Sequence, residues 1–393
     1  MIKWIGRGLG VVIVAGAAFF FGVLPGIVEK GQNGVVEHAP YPVSAEAQAL
    51  HDRIVIGDLH ADSLLWNRDL LKRGSRGHVD FPRLREGNVA VQVFTAVTKS
   101  PAGQNYDHNS AEARDNITLL AIGELWPVKS WGDLTERGLY MAKRMQSYEA
   151  KAPDQVRIIR TTSDLDAVLA ARAEGQPLTG ALLGAEGGHI LEGDLANLDR
   201  IYDAGYRLMG LTHFFDNALG GSLHGEDDGE ENSGLTEFGR AVVQEMVDKQ
   251  MVIDLAHASP QMAREVIEMT DQPLVLSHTG IHSHCPVKRN FEDGLMQQIA
   301  ATGGVIGIGY WADVTCDASP AGVAKTIKAA VDLVGAEHVA LGSDYDGSVT
   351  VEFDTSELAA LTQALMDQGL TEDQIAGVMG GNMMRVLGAV LPE

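Results

Sequence analysis

His60, Asp62, Glu186, His213, His257, His278 and Asp344 are the residues of this chain whose types and spacing can do chemistry. Imidazole and carboxylate groups are the borderline-to-hard donors that suit zinc and similar divalent ions. In His60-Ala61-Asp62 the outer two side chains project to the same side of an extended backbone, so an imidazole and a carboxylate can share one ion. His257 and His278 can hold a second. Glu186 lies between these pairs in chain order, and its two oxygens can bridge two ions, which a neutral imidazole cannot do. Ions roughly 3.5–4 Å apart would activate a bridging water and polarise an electrophile, leaving Asp344 to shuttle the proton. Singly, each residue has a plainer explanation. The HxD pair can be a strand-end hydrogen bond, and either histidine a satisfied core residue. Glu186, followed by Gly187 and Gly188, can sit in a tight turn, and Asp344 and Asp346 can cap a helix. The set as a whole argues for a metal site.

The elements that must position these groups follow one rhythm. Short runs rich in Val, Ile and Leu alternate with amphipathic stretches, as in βα units around a parallel sheet. The runs are Arg53–Leu59, Val89–Ala96, Ala181–Ala185, Arg207–Thr212, Met251–Ala256, Pro273–Ser277, Gly304–Gly309 and His338–Gly342. Eight such units predict a (β/α)8 TIM barrel, an α/β fold whose active sites lie at the carboxyl ends of the strands. Three runs stop at His213, His257 and His278, and three more at the Asp58–Asp62 segment, Glu186 and Asp344. With 13 His in 393 residues, one coincidence would be unremarkable; the barrel and the site support each other. Helices are predicted over Gly239–Lys249, Pro260–Met269 and Ala321–Val334, with two more closing the chain at Ser356–Asp367 and Thr371–Val390. The segment from about Ser110 to Ala152 reads as a helical insertion after the second strand.

Composition narrows the partners. The chain carries 30 Lys+Arg against 53 Asp+Glu, a formal charge of −23, which disfavours nucleic acid or an anionic lipid surface as the main partner. Hydrophobic residues at 45% and charged residues at 21% are ordinary for a chain with a real core. Only one segment can span a bilayer. After Lys3 and Arg7, Gly8 to Val28 carries no charge and is just long enough for a hydrocarbon core of roughly 30 Å. The preceding positive charges place the amino terminus in the cytoplasm and the rest outside it. Residues 1–30 therefore read as a signal anchor or a signal peptide, with no clean small-x-small site favouring cleavage. Residues 31–44 read as a linker, and 45–393 as the barrel. Cys285 and Cys316 match no zinc-ribbon spacing; an exported chain permits a disulfide between them, and two buried thiols are the alternative. The acidic run Glu226-Asp227-Asp228-Gly229-Glu230-Glu231 reads as a solvated loop, and His282 and His284 as loop histidines near the site. No GxSxG elbow supports Ser-His-Asp catalysis, and no GxGxxG follows the first strand.

The motifs GDLHADSLLW, VDFPRLREGNVAVQVF, GAEGGHIL, GLTHFFDNALGGS, GLTEFGRAVV, VIDLAHAS, LSHTGIHSHCPVKRN, LGSDYDG and GGNMMRVL, in this order, resemble the membrane (renal) dipeptidases of the amidohydrolase superfamily. The resemblance runs from about His51 to Leu387. It implies two zinc ions, with His60 and Asp62 on one, His257 and His278 on the other, and Glu186 bridging. It implies that His213 contacts the substrate carbonyl and stabilises the oxyanion, and that Arg289 grips the substrate's terminal carboxylate. Asp344 would take the water's proton and hand it to the leaving amine. It also implies a Cys285–Cys316 disulfide. The chain departs from the family at Ala61 and Ser63-Leu64, where Asn and Leu-Pro are usual, and at Phe214 and Phe215, places often polar in bacterial relatives. Mammalian members carry a lipid anchor at the carboxyl end; here the anchor is expected at the other end. The expectation is a zinc dipeptidase acting on small dipeptides, tethered in a bacterial periplasm by its N-terminal helix, with homodimerisation left open. The alternatives are hydrolysis of a lactam, lactone or N-acyl amino acid, or a barrel that binds metal and ligand without turnover.

Overall fold

The computed structural model describes residues 2–226 and 233–393, with side chains from Val12 onward. Most of the acidic run, residues 227–231, lies outside the described residues. Nine strands form one parallel sheet: β1 (Ile56–Ala61), β2 (Val89–Ala96), β3 (Val156–Ile158), β4 (Thr179–Ala185), β5 (Tyr206–Gly210), β6 (Val252–Asp254), β7 (Val275–Thr279), β8 (Val305–Ile308) and β9 (Val339–Leu341). Eight of them run in the order β2-β1-β9-β8-β7-β6-β5-β4 and close into a barrel where β2 pairs with β4. Buried on both faces, these strands read as continuous apolar runs rather than alternating ones.

The ninth strand, β3, was not anticipated. Its Val156, Arg157 and Ile158 pair with Thr179–Ala181 at the start of β4. Three residues, buried, exposed and buried, are too few to register as a periodic run. The first predicted run also shifts: Arg53 ends the helix Ala45–Arg53, and β1 continues through His60 to Ala61. The insertion contains two helices, Asn116–Gly123 and Leu134–Lys151, joined by a 3-10 turn at Val128–Trp131. The predicted final helix is broken: Glu372–Ala376 and Asn382–Val390 flank a kink at Gly380. A Cβ on Gly380 would fall 2.5 Å from the Val55 carbonyl at the entrance to β1, so only glycine permits that approach. Met383, Val386 and Leu387 of the last helix pack with Leu59, Leu182, Leu208, Val252, Val275 and Val305, one from each of six strands. This closes the barrel at the end opposite the predicted site.

At the other terminus, α1 (Ile2–Gly22) leaves Val12, Ile13 and Val14 at least 62% exposed. Val12–Gln32 is one segment long and apolar enough to cross a membrane. Pro25, which has no N–H to donate, stands at the start of α2 (Leu24–Gln32), where the helix breaks from α1. Of residues 31–44, read above as a linker, the first two end α2 and the rest are tied to the barrel. The Val36 amide donates to the Val351 carbonyl at 2.9 Å, and the Tyr41 hydroxyl to the Glu352 carbonyl at 3.0 Å.

Candidate active site

The predicted ligands meet at the carboxyl end of the barrel, all of them buried. His60 lies within β1 with Asp62 one residue past it; Glu186 follows β4, and His278 sits near the end of β7. His213, His257 and Asp344 each stand three residues beyond β5, β6 and β9, on short turns rather than on the strands. Glu186 is the hub. Its Oε1 lies 3.5 Å from His60 Nε2, 3.3 Å from His257 Nε2 and 3.5 Å from His278 Nε2. Its Oε2 lies 3.4 Å from His213 Nε2. His60 Nε2 is 3.5 Å from Asp62 Oδ1, and the Nε2 atoms of His257 and His278 face each other at 3.0 Å. His257 and Asp344 adopt φ of 63° and 59°. Left-handed backbone at a residue other than glycine costs on the order of 1–3 kcal/mol and marks sites where direction matters more than stability.

Polar partners behind these groups fix their direction. Thr95 Oγ1 donates to Asp62 Oδ1 at 2.6 Å. Ser277 Oγ lies 2.8 Å from His278 Nδ1 while donating to Asp254 Oδ2 at 2.6 Å. Asp58 accepts from the amides of His60 and Ser343, at 3.0 Å each, joining β1 to the turn that carries Asp344. Asp346 takes the Arg68 guanidinium and the His78 amide, so that turn is held on both sides of Tyr345. A Cβ on Gly347 would meet Asp344 Oδ1 at 2.1 Å, so glycine is needed beside that carboxylate. Arg68 and Thr95 were not foreseen, because their partners Asp346 and Asp62 lie far away in sequence and no short motif announces them.

Electrostatics show what the cluster lacks. Burial, then the neighbouring Asp62, drives the Glu186 carboxyl up. Burial lifts Asp344 to about 8, with the Asp62 charge adding to it. Burial alone would disfavour a charged His60, yet Glu186 and Asp62 outweigh it and raise the imidazole to about 10. His257 and His278 are pushed down by burial and by the Arg289 charge, and so stay neutral, the form that binds metal. Buried His60 Nε2 has no hydrogen-bond partner although it points at three carboxylates. A divalent cation answers all of this: it neutralises crowded carboxylates and takes imidazole lone pairs. The donor set fits one. Three trios have ligand atoms within 4.8 Å of one another: His60, Asp62 and Glu186; Glu186, His213 and His257; and His60, His278 and Asp344. His213 and Asp344, expected to act on substrate, therefore also stand at ligand distance.

A cavity of about 630 Å³ opens over the cluster, with Arg289, Tyr106, Trp311 and Phe214 in its wall. Arg289 is 1% exposed, donates from Nη2 to the His278 carbonyl at 2.7 Å, and makes no ion pair among the described residues. Its Nε has no partner. Tyr106 was not singled out in the sequence; its hydroxyl accepts from Trp311 Nε1 at 2.9 Å inside the pocket. Burial takes His213 down to about 4, so it is a neutral imidazole at physiological pH.

The membrane dipeptidase family model (peptidase family M19) matches residues 44–391. The chain belongs to this family. A dipeptidase, AclJ, of Aspergillus oryzae is 30% identical over 368 residues, covering 86% of this chain and 78% of that protein. The probable dipeptidase PvdM of Pseudomonas aeruginosa superposes with a TM-score of 0.73 at 19% identity, covering 88% of this chain and 98% of that one. A metallopeptidase of Rhodobacter sphaeroides, solved with a phosphinate mimic of the dipeptide L-Ala-D-Ala, superposes with a TM-score of 0.68 at 22% identity, covering 86% and 99%. The protein is thus a metal-dependent hydrolase of the membrane dipeptidase type, built on a (β/α)8 barrel. In this dipeptidase Cys285 and Cys316 form a disulfide, Cα atoms 5.7 Å apart. The bridge joins the loop after β7, which carries Arg289, to the segment after β8 that carries Trp311. His282 and His284 lie on that same loop, outside the trios of candidate ligands.

Proposed function

We propose that the protein hydrolyses the peptide bond of free dipeptides with two zinc ions. Its ligands are His60 and Asp62 on one ion, His257 and His278 on the other, and Glu186 on both. The observation that carries this is the position of Glu186, one oxygen of which faces three imidazoles at 3.3–3.5 Å. Held by these residues, zinc would supply polarisation of the scissile carbonyl and a water acidic enough to attack at neutral pH. The chain's own residues do the rest. Arg289, a buried guanidinium with free donors, receives the substrate's carboxylate through paired charge-assisted hydrogen bonds. His213 donates from its neutral ring to the developing oxyanion. Asp344, buried beside His60 and His278, takes the proton of the water as a carboxylate and, once protonated, returns it to the leaving amine. An N-terminal helix with exposed apolar side chains supports tethering of the barrel on the outer face of a membrane, in a periplasm.

The test joins metal content to turnover. The full-length enzyme should hold two zinc ions per chain and cleave dipeptides in preference to lactams, lactones and N-acyl amino acids. Glu186→Ala should lose both ions, whereas His278→Ala should mainly lose one. Retention of two ions by Glu186→Ala removes the bridge, and turnover of a lactam but of no dipeptide replaces the substrate.

A further inference from the structure

The cavity over the metal cluster is not walled by barrel loops alone. Val28 and Gln32 of α2 line it together with Leu65, Trp66, Ile117 and Leu120. Four apart on a helix, Val28 and Gln32 share one face. The adjacent face carries Glu29 and Asn33, which are buried at 1% and 3% exposure. Glu29 pairs with both Arg68 and Arg76. Asn33 Oδ1 accepts the Ser348 amide at 2.9 Å. Arg68 also pairs with Asp346, two residues from Asp344. The same guanidinium therefore latches α2 and the Asp344 turn. A helix that served only as a tether would have no use for a buried carboxylate shared between two arginines. Left without partners, such a charge is strongly destabilising.

We propose that α2 is the outer wall of the substrate pocket and that Val28 and Gln32 select among dipeptides by the size of an apolar side chain. This rests on the dipeptidase reading of the pocket. Leu65, Trp66, Ile117 and Leu120 share the lining with Val28, so this part of the pocket suits a branched or aromatic side chain. A glycine residue there gains nothing from the wall. The segment that leads to the membrane is then also a specificity element, and removal of the first 32 residues takes a wall from the pocket.

The experiment compares the full-length enzyme with Val28→Trp and Val28→Ala, in detergent, on Gly-Gly and on dipeptides bearing Leu or Phe. Val28 is 39% exposed, so both replacements fit the fold. For Val28→Trp, KM for the Leu and Phe substrates should rise roughly tenfold or more relative to KM for Gly-Gly, the scale on which apolar pockets discriminate side chains. Val28→Ala should change the Leu-to-Gly ratio of kcat/KM severalfold. Equal losses on every dipeptide, or no change on any, overturns the proposal. So does a purified active enzyme whose first residue lies beyond Gln32. A wild type that turns over no dipeptide overturns the dipeptidase reading and this inference with it, an outcome distinct from the others.

Discussion

Arg289 gives the sharpest test of how the enzyme recognises that its substrate ends. The side chain is buried, its Nη2 is committed to the His278 carbonyl at 2.7 Å, and its Nε is unpartnered. A guanidinium in that state is a cation awaiting an anion, and no carboxylate among the described residues supplies it. Truncating one partner of a buried, hydrogen-bonded charge pair typically costs about 2–5 kcal/mol. At about 1.4 kcal/mol per factor of ten, Arg289→Ala should lower kcat/KM for a dipeptide by roughly 30- to 4,000-fold. The same energy should be lost from the wild type when the dipeptide's carboxyl end is amidated. The two losses must not add: the amidated substrate should be hydrolysed about equally by Arg289→Ala and wild type. Arg289→Lys should recover only part of the loss, because an ammonium lacks the planar fork. Arg289 Nη2 also lies 3.4 Å from His257 Nε2, so metal content must be measured beside the kinetics. Steady-state assays on both substrates, with zinc quantified in each preparation, complete the comparison. Fully additive losses at unchanged metal content would refute carboxylate recognition and leave Arg289 as a brace for the loop after His278.

Two further outcomes follow from the geometry. Asp344→Asn should lower kcat by about 10²- to 10⁴-fold, the range for a general acid–base group, while both ions stay bound; elemental analysis showing one ion lost would instead make Asp344 a ligand, as its place beside His60 and His278 allows. Away from the site, burial lifts Glu124 to about 7, against hydrogen bonds from Trp126 and Asn67 that favour its charge. The folded state therefore binds more protons than the unfolded one between pH 4.5 and 7. This contribution is fully present below the unfolded value and is lost as pH rises through the folded one, by up to about 3 kcal/mol. Glu124→Gln should flatten that decline, and unfolding midpoints that fall equally in both proteins from pH 5 to 8 would refute it.

The site was legible because barrel chemistry is local in sequence. A strand that ends at His278 or at Glu186 places its functional group by the strand's own register, so a run of apolar residues and its terminal donor suffice. His257 and Asp344 were found for the same reason, although the sequence did not show that each sits in a left-handed turn three residues past its strand. What escaped notice is long-range. Arg68 and Asp346 are 278 residues apart, and Thr95 and Asp62 are 33 apart. A single arginine or threonine carries no sign of a partner that far away. β3 was missed for a different cause, since three residues supply no period.

The N-terminal region shows where the same reasoning misleads. Hydropathy treats Gly8–Val28 as one span, yet the chain breaks at Val23, and the residues beyond Pro25 fold onto the barrel. Glu29, which looks like the polar end of a membrane segment, is instead among its most buried residues. The exposed apolar side chains Val12, Ile13 and Val14 belong to α1. Its 21 residues rise about 32 Å, close to the roughly 30 Å of a hydrocarbon core. The two helices meet at Val23 with no linker between them, so the α2 wall of the pocket stands one helix break from α1.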